Sequence, residues 1–192
     1  MIAGRGIFGP TLREAVESHL GAKAYVIHRL DRDASGIVLF AKDPVAHRAL
    51  SLAFETRKVH KFYLALVEGQ VAEDATIDRP IRAFGSGRMG MAPEGKLSRT
   101  RYRVRERLAG ATLLEVEPET GRRHQIRVHL YSIGHPVLGD SLYGKQRPVG
   151  GASRLMLHAL GLKFEFEGHQ IELRCETPVD FVELLNKWRA TS

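Results

Sequence analysis

Short apolar runs separated by polar, glycine-marked breaks follow one another along this chain, and the period inside each run predicts its element. Leu12, Ala15, Val16, His19 and Leu20 recur at helical spacing, Thr11 and Glu14 form a capping box, and Gly21 follows as a stop, so a helix is expected over 11–20. The continuous apolar run Ile37-Val38-Leu39-Phe40-Ala41 predicts a buried strand. Asp43 and Pro44 then supply an N-cap and a first-turn proline, and Val45, Ala49, Leu52 and Ala53 mark the inner face of a helix ending near Thr56. A strand over 61–69 closes at Gly69, and the glycine- and proline-containing stretch after it reads as a loop.

At 99–107 the pattern changes to strict alternation. Arg99, Arg101, Arg103, Arg105 and Arg107 fall on one face of a strand, while Thr100, Tyr102, Val104, Glu106 and Leu108 fall on the other. Five guanidiniums in a row repel one another unless they are solvated or meet an anion. A further strand is expected at 113–118, followed by a helix from Thr120-Gly121 through Ile133, with Gly134 as its cap and Pro136 beyond. On that helix Arg127 falls at the edge of the buried side. Three strands over 154–160, 162–167 and 170–176, with Gly161 and Gly168-His169 as turns, precede a last helix opened by Thr177-Pro178. Its stripe is Val182, Leu185 and Trp188. Strands outnumber helices without alternating with them, which predicts an α+β fold in a single domain over 1–192.

Composition narrows the partners. The 192 residues carry 29 Lys plus Arg against 22 Asp plus Glu, a net charge of +7, which favours a polyanion such as nucleic acid. One cysteine, Cys175, excludes an internal disulfide, and no apolar stretch is long enough to span a bilayer, so a soluble cytoplasmic protein with no membrane contact is expected. The histidines lack metal-ligand spacing, and His124 and His129, five apart, converge on one ion in neither a strand nor a helix. Glycine-rich phosphate loops are absent, so no nucleotide cofactor is suggested.

What remains is carboxylate chemistry. His28-Arg29-Leu30-Asp31-Arg32-Asp33-Ala34-Ser35-Gly36 sets two acids among arginines in a polar turn beside an apolar run. Asp31 to Ser35 fits D-x-D-x-[ST], which resembles the nucleophile motif of haloacid-dehalogenase-type phosphohydrolases, but the strand-helix alternation of that fold is missing. A broader resemblance joins five blocks in order: H-R-L-D-R-D-A-S-G-I-V-L-F-A-K at 28–42, K-F-Y-L-A-L-V-E-G at 61–69, T-G-R-R-H-Q-I-R-V-H-L at 120–130, G-H-P-V-L-G-D-S-L-Y-G at 134–144 and R-L-M-L-H-A at 154–159. Together they resemble the RluA-type pseudouridine synthases over most of residues 11–185.

The resemblance implies a mixed, largely antiparallel sheet flanked by helices around a central cleft. It also implies isomerisation of uridine to pseudouridine in structured ribosomal or transfer RNA by a monomer that needs no cofactor. Asp31 matches the family's nucleophile, Tyr63 the tyrosine beside the target base, and Arg127 the arginine paired with the aspartate. Arg29 matches a residue that fills the gap left by the extruded base, while Asp33 is assigned a supporting role. Arg99, Arg101, Arg103, Arg122, Arg123 and His124 are candidate RNA contacts. The family's first strand, with its Lys-Pro pair, is expected to be lost or displaced from the segment before Thr11. The same fold is also compatible with a catalytically silent RNA-binding or ribosome-assembly protein.

Overall fold

The computed structural model describes residues 9–85, 87–144 and 149–191; the expectation of a lost first strand concerns residues that lie largely outside these. Helix α1 (Leu12–Leu20) begins at the expected capping box, with Thr11 and Glu14 exchanging side chain to backbone bonds, and ends where Gly21 turns left-handed. The apolar run at 37–41 is not one strand. Strand β1 (Tyr25–Val26) pairs antiparallel with β3 (Phe40–Ala41), whereas the preceding pair β2 (Ser35–Gly36) joins the main sheet in parallel. The chain leaves that sheet at Gly36, whose φ of +116° and close approach to Ala159 admit no side chain: a Cβ there would lie 2.3 Å from the Ala159 carbonyl oxygen. Gly36→Ala is therefore expected to destabilise the protein by roughly 2 kcal/mol or more, the combined cost of strained backbone and overpacking. A shift of the urea midpoint measures it.

Helix α2 (Pro44–Glu55) is capped by Asp43, whose Oδ1 accepts the N–H groups of Val45 and Ala46. Its buried face shares only Ala53 with the expected one. Val45 is 79% and Leu52 57% exposed, while Leu50, Ala53 and Phe54 pack over Leu162 and Phe164 with Ile37 and Leu39. The helix has apolar residues on two faces, and the tertiary partner decides which is covered.

Strand β4 (His60–Glu68) is followed by β5 (Ala75–Asp78) and by a hairpin of β6 (Ile81–Ala83) and β7 (Met89–Met91) within the stretch expected to be a loop. Its strands are too short to show a period. The long strands β8 (Arg99–Leu108) and β9 (Ala111–Pro118) form the expected antiparallel pair. Helix α3 (Gln125–Ser132) starts five residues later than expected, because His124 sits at φ +54° and Gln125 ties the preceding turn. The Gln125 side-chain oxygen accepts from the Thr120 hydroxyl (2.6 Å) and the Arg122 N–H (3.0 Å). Strand β10 (Leu157–Phe166) continues through Gly161, with a shift of register against β4 between Ala159 and Gly161 but no turn: β11 (His169–Arg174) approaches so closely that a Cβ at Gly161 would be 2.9 Å from the Leu173 oxygen. Helix α4 (Val179–Arg189) buries Phe181, Leu184 and Leu185; Val182, expected in the stripe, lies 37% exposed at the rim.

The main sheet has the order β11-β10-β4-β9-β8-β5, antiparallel throughout, with β2 added in parallel against β10. This is the α+β architecture expected. Central strands β4 and β9 contribute Leu66, Val67, Leu114 and Val116 to a core closed by Leu130 of α3 and Phe181 of α4. The Ser35 hydroxyl meets His158 Nδ1 at 3.0 Å, so the turn that carries Asp31 is anchored to β10. None of the described helices is long and apolar enough to cross a membrane.

Candidate active site

Asp31 sits in a tight turn closed by the Ala34 N–H bonding to its carbonyl (3.1 Å), at the edge of a pocket it shares with Arg29, Lys61, Tyr63, Arg122 and His124. Arg127, in the first turn of α3, reaches it across 96 residues of chain: Nη1 donates to Asp31 Oδ2 at 3.2 Å. The rest of that guanidinium is spent on Asp140, whose two oxygens accept Nε and Nη2 at 2.7 and 2.8 Å. Asp140 is in turn fixed by the N–H groups of Leu142 and Tyr143, both 2.9 Å from Oδ1, and the Tyr143 ring lies 5.0 Å from the Arg127 guanidinium carbon.

The electrostatics suit a fixed fork. Burial alone would raise the Asp140 carboxyl and lower the Arg127 guanidinium, but the bonds between them outweigh it in both, so both stay charged. One oxygen of Asp31 is held and the carboxylate is otherwise open to the pocket, its side chain 21% exposed. Tyr63, on β4, is kept protonated because burial, and then the charge of Asp31, push its phenol up. The pocket lining holds one carboxylate, Asp31. Asp33, assigned a supporting role from sequence, is exposed and forms no ion pair among the described residues, which leaves the phosphohydrolase pattern without its second acid.

The candidate RNA contacts separate into groups. Arg29 and Arg123 are exposed, Arg122 is partly buried and donates to the Leu97 carbonyl at 3.3 Å, and His124 lines the pocket. The arginine row of β8 is on the exposed face as expected, opposite buried Thr100, Tyr102 and Leu108. It does not stand free of anions, because strand β9 and its neighbours supply carboxylates. Arg99 lies 3.9 Å from Asp78 and 3.5 Å from Glu119, Arg101 lies 3.4 Å from Glu119, and Arg105 bonds Glu115. Arg99 and Arg101 line a groove that adjoins the pocket through Pro118 and Thr120, whereas Arg103 does not.

Four residues escaped the sequence reading. Lys61 stands two positions before Tyr63 on β4, and its Nζ donates to the Thr120 carbonyl at 3.1 Å; burial, then the charge of Arg57, lower it to about 8. The period of two from Tyr63 was the available signal. Asp140 and Tyr143 lie inside the block 134–144, but only the fold shows their partners. His28 stacks on Phe54 and its Nε2 accepts the Leu39 N–H at 2.9 Å.

Burial, then the charge of Lys61, bring His28 from 6.5 down to about 4. The unfolded chain takes up this proton near pH 6.5 and the folded protein only near pH 4, so the stability it contributes is complete above 6.5 and is lost as pH falls to 4. The loss should approach about 3 kcal/mol. Urea melts at several pH values between these limits are expected to show it, and His28→Gln, which can still accept the Leu39 N–H, should flatten the profile.

Comparison with known proteins shows the family. The family model described as RNA pseudouridylate synthase matches residues 9–132. An uncharacterized RNA pseudouridine synthase of Chloroflexus aurantiacus is 42% identical over 166 residues, covering 84% of this chain and 52% of that protein. The ribosomal large subunit pseudouridine synthase D of Nitrosomonas europaea is 38% identical over 202 residues, covering 97% of this chain and 59% of that one. Among solved structures, human RNA pseudouridylate synthase domain containing 1 superposes with a TM-score of 0.80 at 31% identity, covering 93% of this chain and 78% of that one. The chain thus spans just over half the length of these curated bacterial relatives. On the matched family model, the shared fold and this level of identity, the chain belongs to the RNA pseudouridylate synthase family.

Proposed function

We propose that this protein isomerises uridine to pseudouridine in ribosomal RNA of the large subunit, acting as a monomer in the cytoplasm without a cofactor. The observation that carries the reading is Asp31, the pocket's one carboxylate, held by Arg127 at 3.2 Å and facing the cavity with Tyr63. The names of two relatives, synthases C and D of the ribosomal large subunit, support the choice of RNA. In the reaction the N1–C1′ bond of uridine breaks, the base turns, and C5 bonds to C1′. C5 loses a proton and N1 gains one, so the composition of the RNA is unchanged. Asp31 is the nucleophile that opens this sequence; Arg127 orients it and sustains its charge. Tyr63, kept protonated, offers the base a stacking face and a hydroxyl.

A uridine in a helix cannot reach such a pocket, so it must be drawn out of its stack, and Arg29 at the mouth takes the vacated place. Arg122, Arg123, Arg99, Arg101 and Arg103 supply phosphate contacts. The pairs of Arg99 and Arg101 with Glu119 are long and half-exposed, worth little in stability, and exchange readily for phosphate. Arg123→Ala should make the dependence of log affinity on log salt shallower by about 0.7 to 0.9, one phosphate contact's worth, as read by filter binding. Arg105→Ala, whose partner is Glu115, should leave that slope unchanged.

A large-subunit rRNA transcript incubated with the protein is expected to acquire carbodiimide-dependent reverse-transcription stops at discrete uridines. Binding with no new stop would favour the silent RNA-binding reading instead.

A further inference from the structure

His124 holds an uncommon position. It is a non-glycine residue at φ +54°, directly before α3, and its side chain makes no capping bond there. Its ring is committed elsewhere: Nδ1 lies 2.8 Å from the hydroxyl of Tyr143, and that hydroxyl already accepts the N–H of Met89 at 2.9 Å. Tyr143 is 2% exposed, so its own proton needs a buried acceptor, and Nδ1 of His124 is the one its bonds provide. Nδ1 is then an acceptor, and the hydrogen of the neutral imidazole resides on Nε2. Burial favours both neutral forms, raising the Tyr143 phenol and lowering His124.

Nε2 faces the reacting centre. It lies 3.9 Å from Asp31 Oδ1, too far for a hydrogen bond, and has no other acceptor within reach among the described residues. The ring is 12% exposed and lines the pocket with Asp31 and Tyr63. A donor that opens on the pocket with no hydrogen bond of its own, beside the nucleophile, is placed to meet an acceptor supplied by the substrate.

We propose that His124 donates Nε2–H to a carbonyl oxygen of the extruded pyrimidine, and that Tyr143 is the positioning residue that fixes this tautomer. The inference rests on the isomerase reading and adds to it a polar contact to the base. Uracil presents a carbonyl oxygen at both C2 and C4, whereas cytosine has an amino group at C4. A donor that meets the C4 side therefore favours uridine, since cytidine would leave two donors facing each other.

Two measurements test it. Nitrogen-15 NMR of the free protein should show His124 as the neutral Nε2–H tautomer, and Tyr143→Phe should turn it into a mixture of tautomers. In assays of label release from C5-tritiated RNA, His124→Asn, which suits the left-handed backbone but cannot place a donor at Nε2, should lower kcat/KM by 10- to 100-fold at unchanged melting temperature. His124→Gln, which can place an amide donor there, should recover part of that loss. Tyr143→Phe should be intermediate, and adding it to His124→Asn should cost nothing more. A Nδ1–H tautomer in the wild-type protein, His124→Asn within twofold of wild type, or fully additive losses would overturn the proposal. A wild-type protein that releases no label would remove the isomerase reading and the base contact with it, while the NMR result would still decide the tautomer.

Discussion

Asp31→Asn should bind RNA within about threefold of the wild-type affinity and yet form no pseudouridine, a fall in rate of about 10⁴-fold or more, as expected when a nucleophile is removed. The amide keeps the size of the carboxylate and can still accept from Arg127 Nη1, now at 3.2 Å. Only one bond of a partly exposed side chain is altered, so the fold should persist with a stability change of about 1 kcal/mol. What disappears is the negative charge and with it the proposed nucleophile. Parallel measurements of RNA affinity and of pseudouridine formation separate this loss of chemistry from a loss of binding.

Asp140→Ala should do the opposite and damage structure first. Asp140 is fully buried, and both of its oxygens are engaged by Arg127, with two backbone N–H groups on Oδ1 as well. Removing it strands a buried guanidinium and two N–H donors, which should cost about 3 to 5 kcal/mol. Arg127 would then be free to turn wholly toward Asp31 or away from it, so activity should fall by more than the loss of folded protein explains. Urea unfolding gives the first quantity, and the specific activity of the remaining folded protein gives the second. Asp140→Asn, which preserves an acceptor for the N–H groups but not the charge, should fall between the two.

The elements that could be read from sequence are those whose signals are local. The Thr11–Glu14 capping box and the Asp43-Pro44 start place two helices, and the Arg99 to Arg107 alternation places β8, because each depends on neighbours within a few residues. The misreadings share the opposite cause. The run 37–41 has the composition of one strand, but the chain leaves the main sheet after Gly36 and only Phe40 and Ala41 pair again, in the small sheet with β1. Gly161 has the look of a turn residue, yet it is small so that β11 can pass close by. On α2, local pattern left two apolar faces, and the strands beneath chose between them.

The site divides in the same way. Asp31, Tyr63 and Arg127 were identified because they sit in blocks that resemble a family, not because any periodicity joins residues 96 apart. The Arg32 neighbour, adjacent in sequence, is exposed and makes no ion pair among the described residues; the distant Arg127 holds the carboxylate. Asp140 and Tyr143 carry no local mark of their task, since what they do is to position Arg127 and His124 from a turn that the chain reaches only after α3.

The most direct test of the account is release of tritium from RNA labelled at C5 of uridine, using wild-type protein with no added metal or cofactor. Isomerisation through C5 predicts stoichiometric release of label at the modified uridines with the RNA strand intact, and no release by the Asp31→Asn protein. Tight RNA binding without release, or release that survives Asp31→Asn, would contradict it.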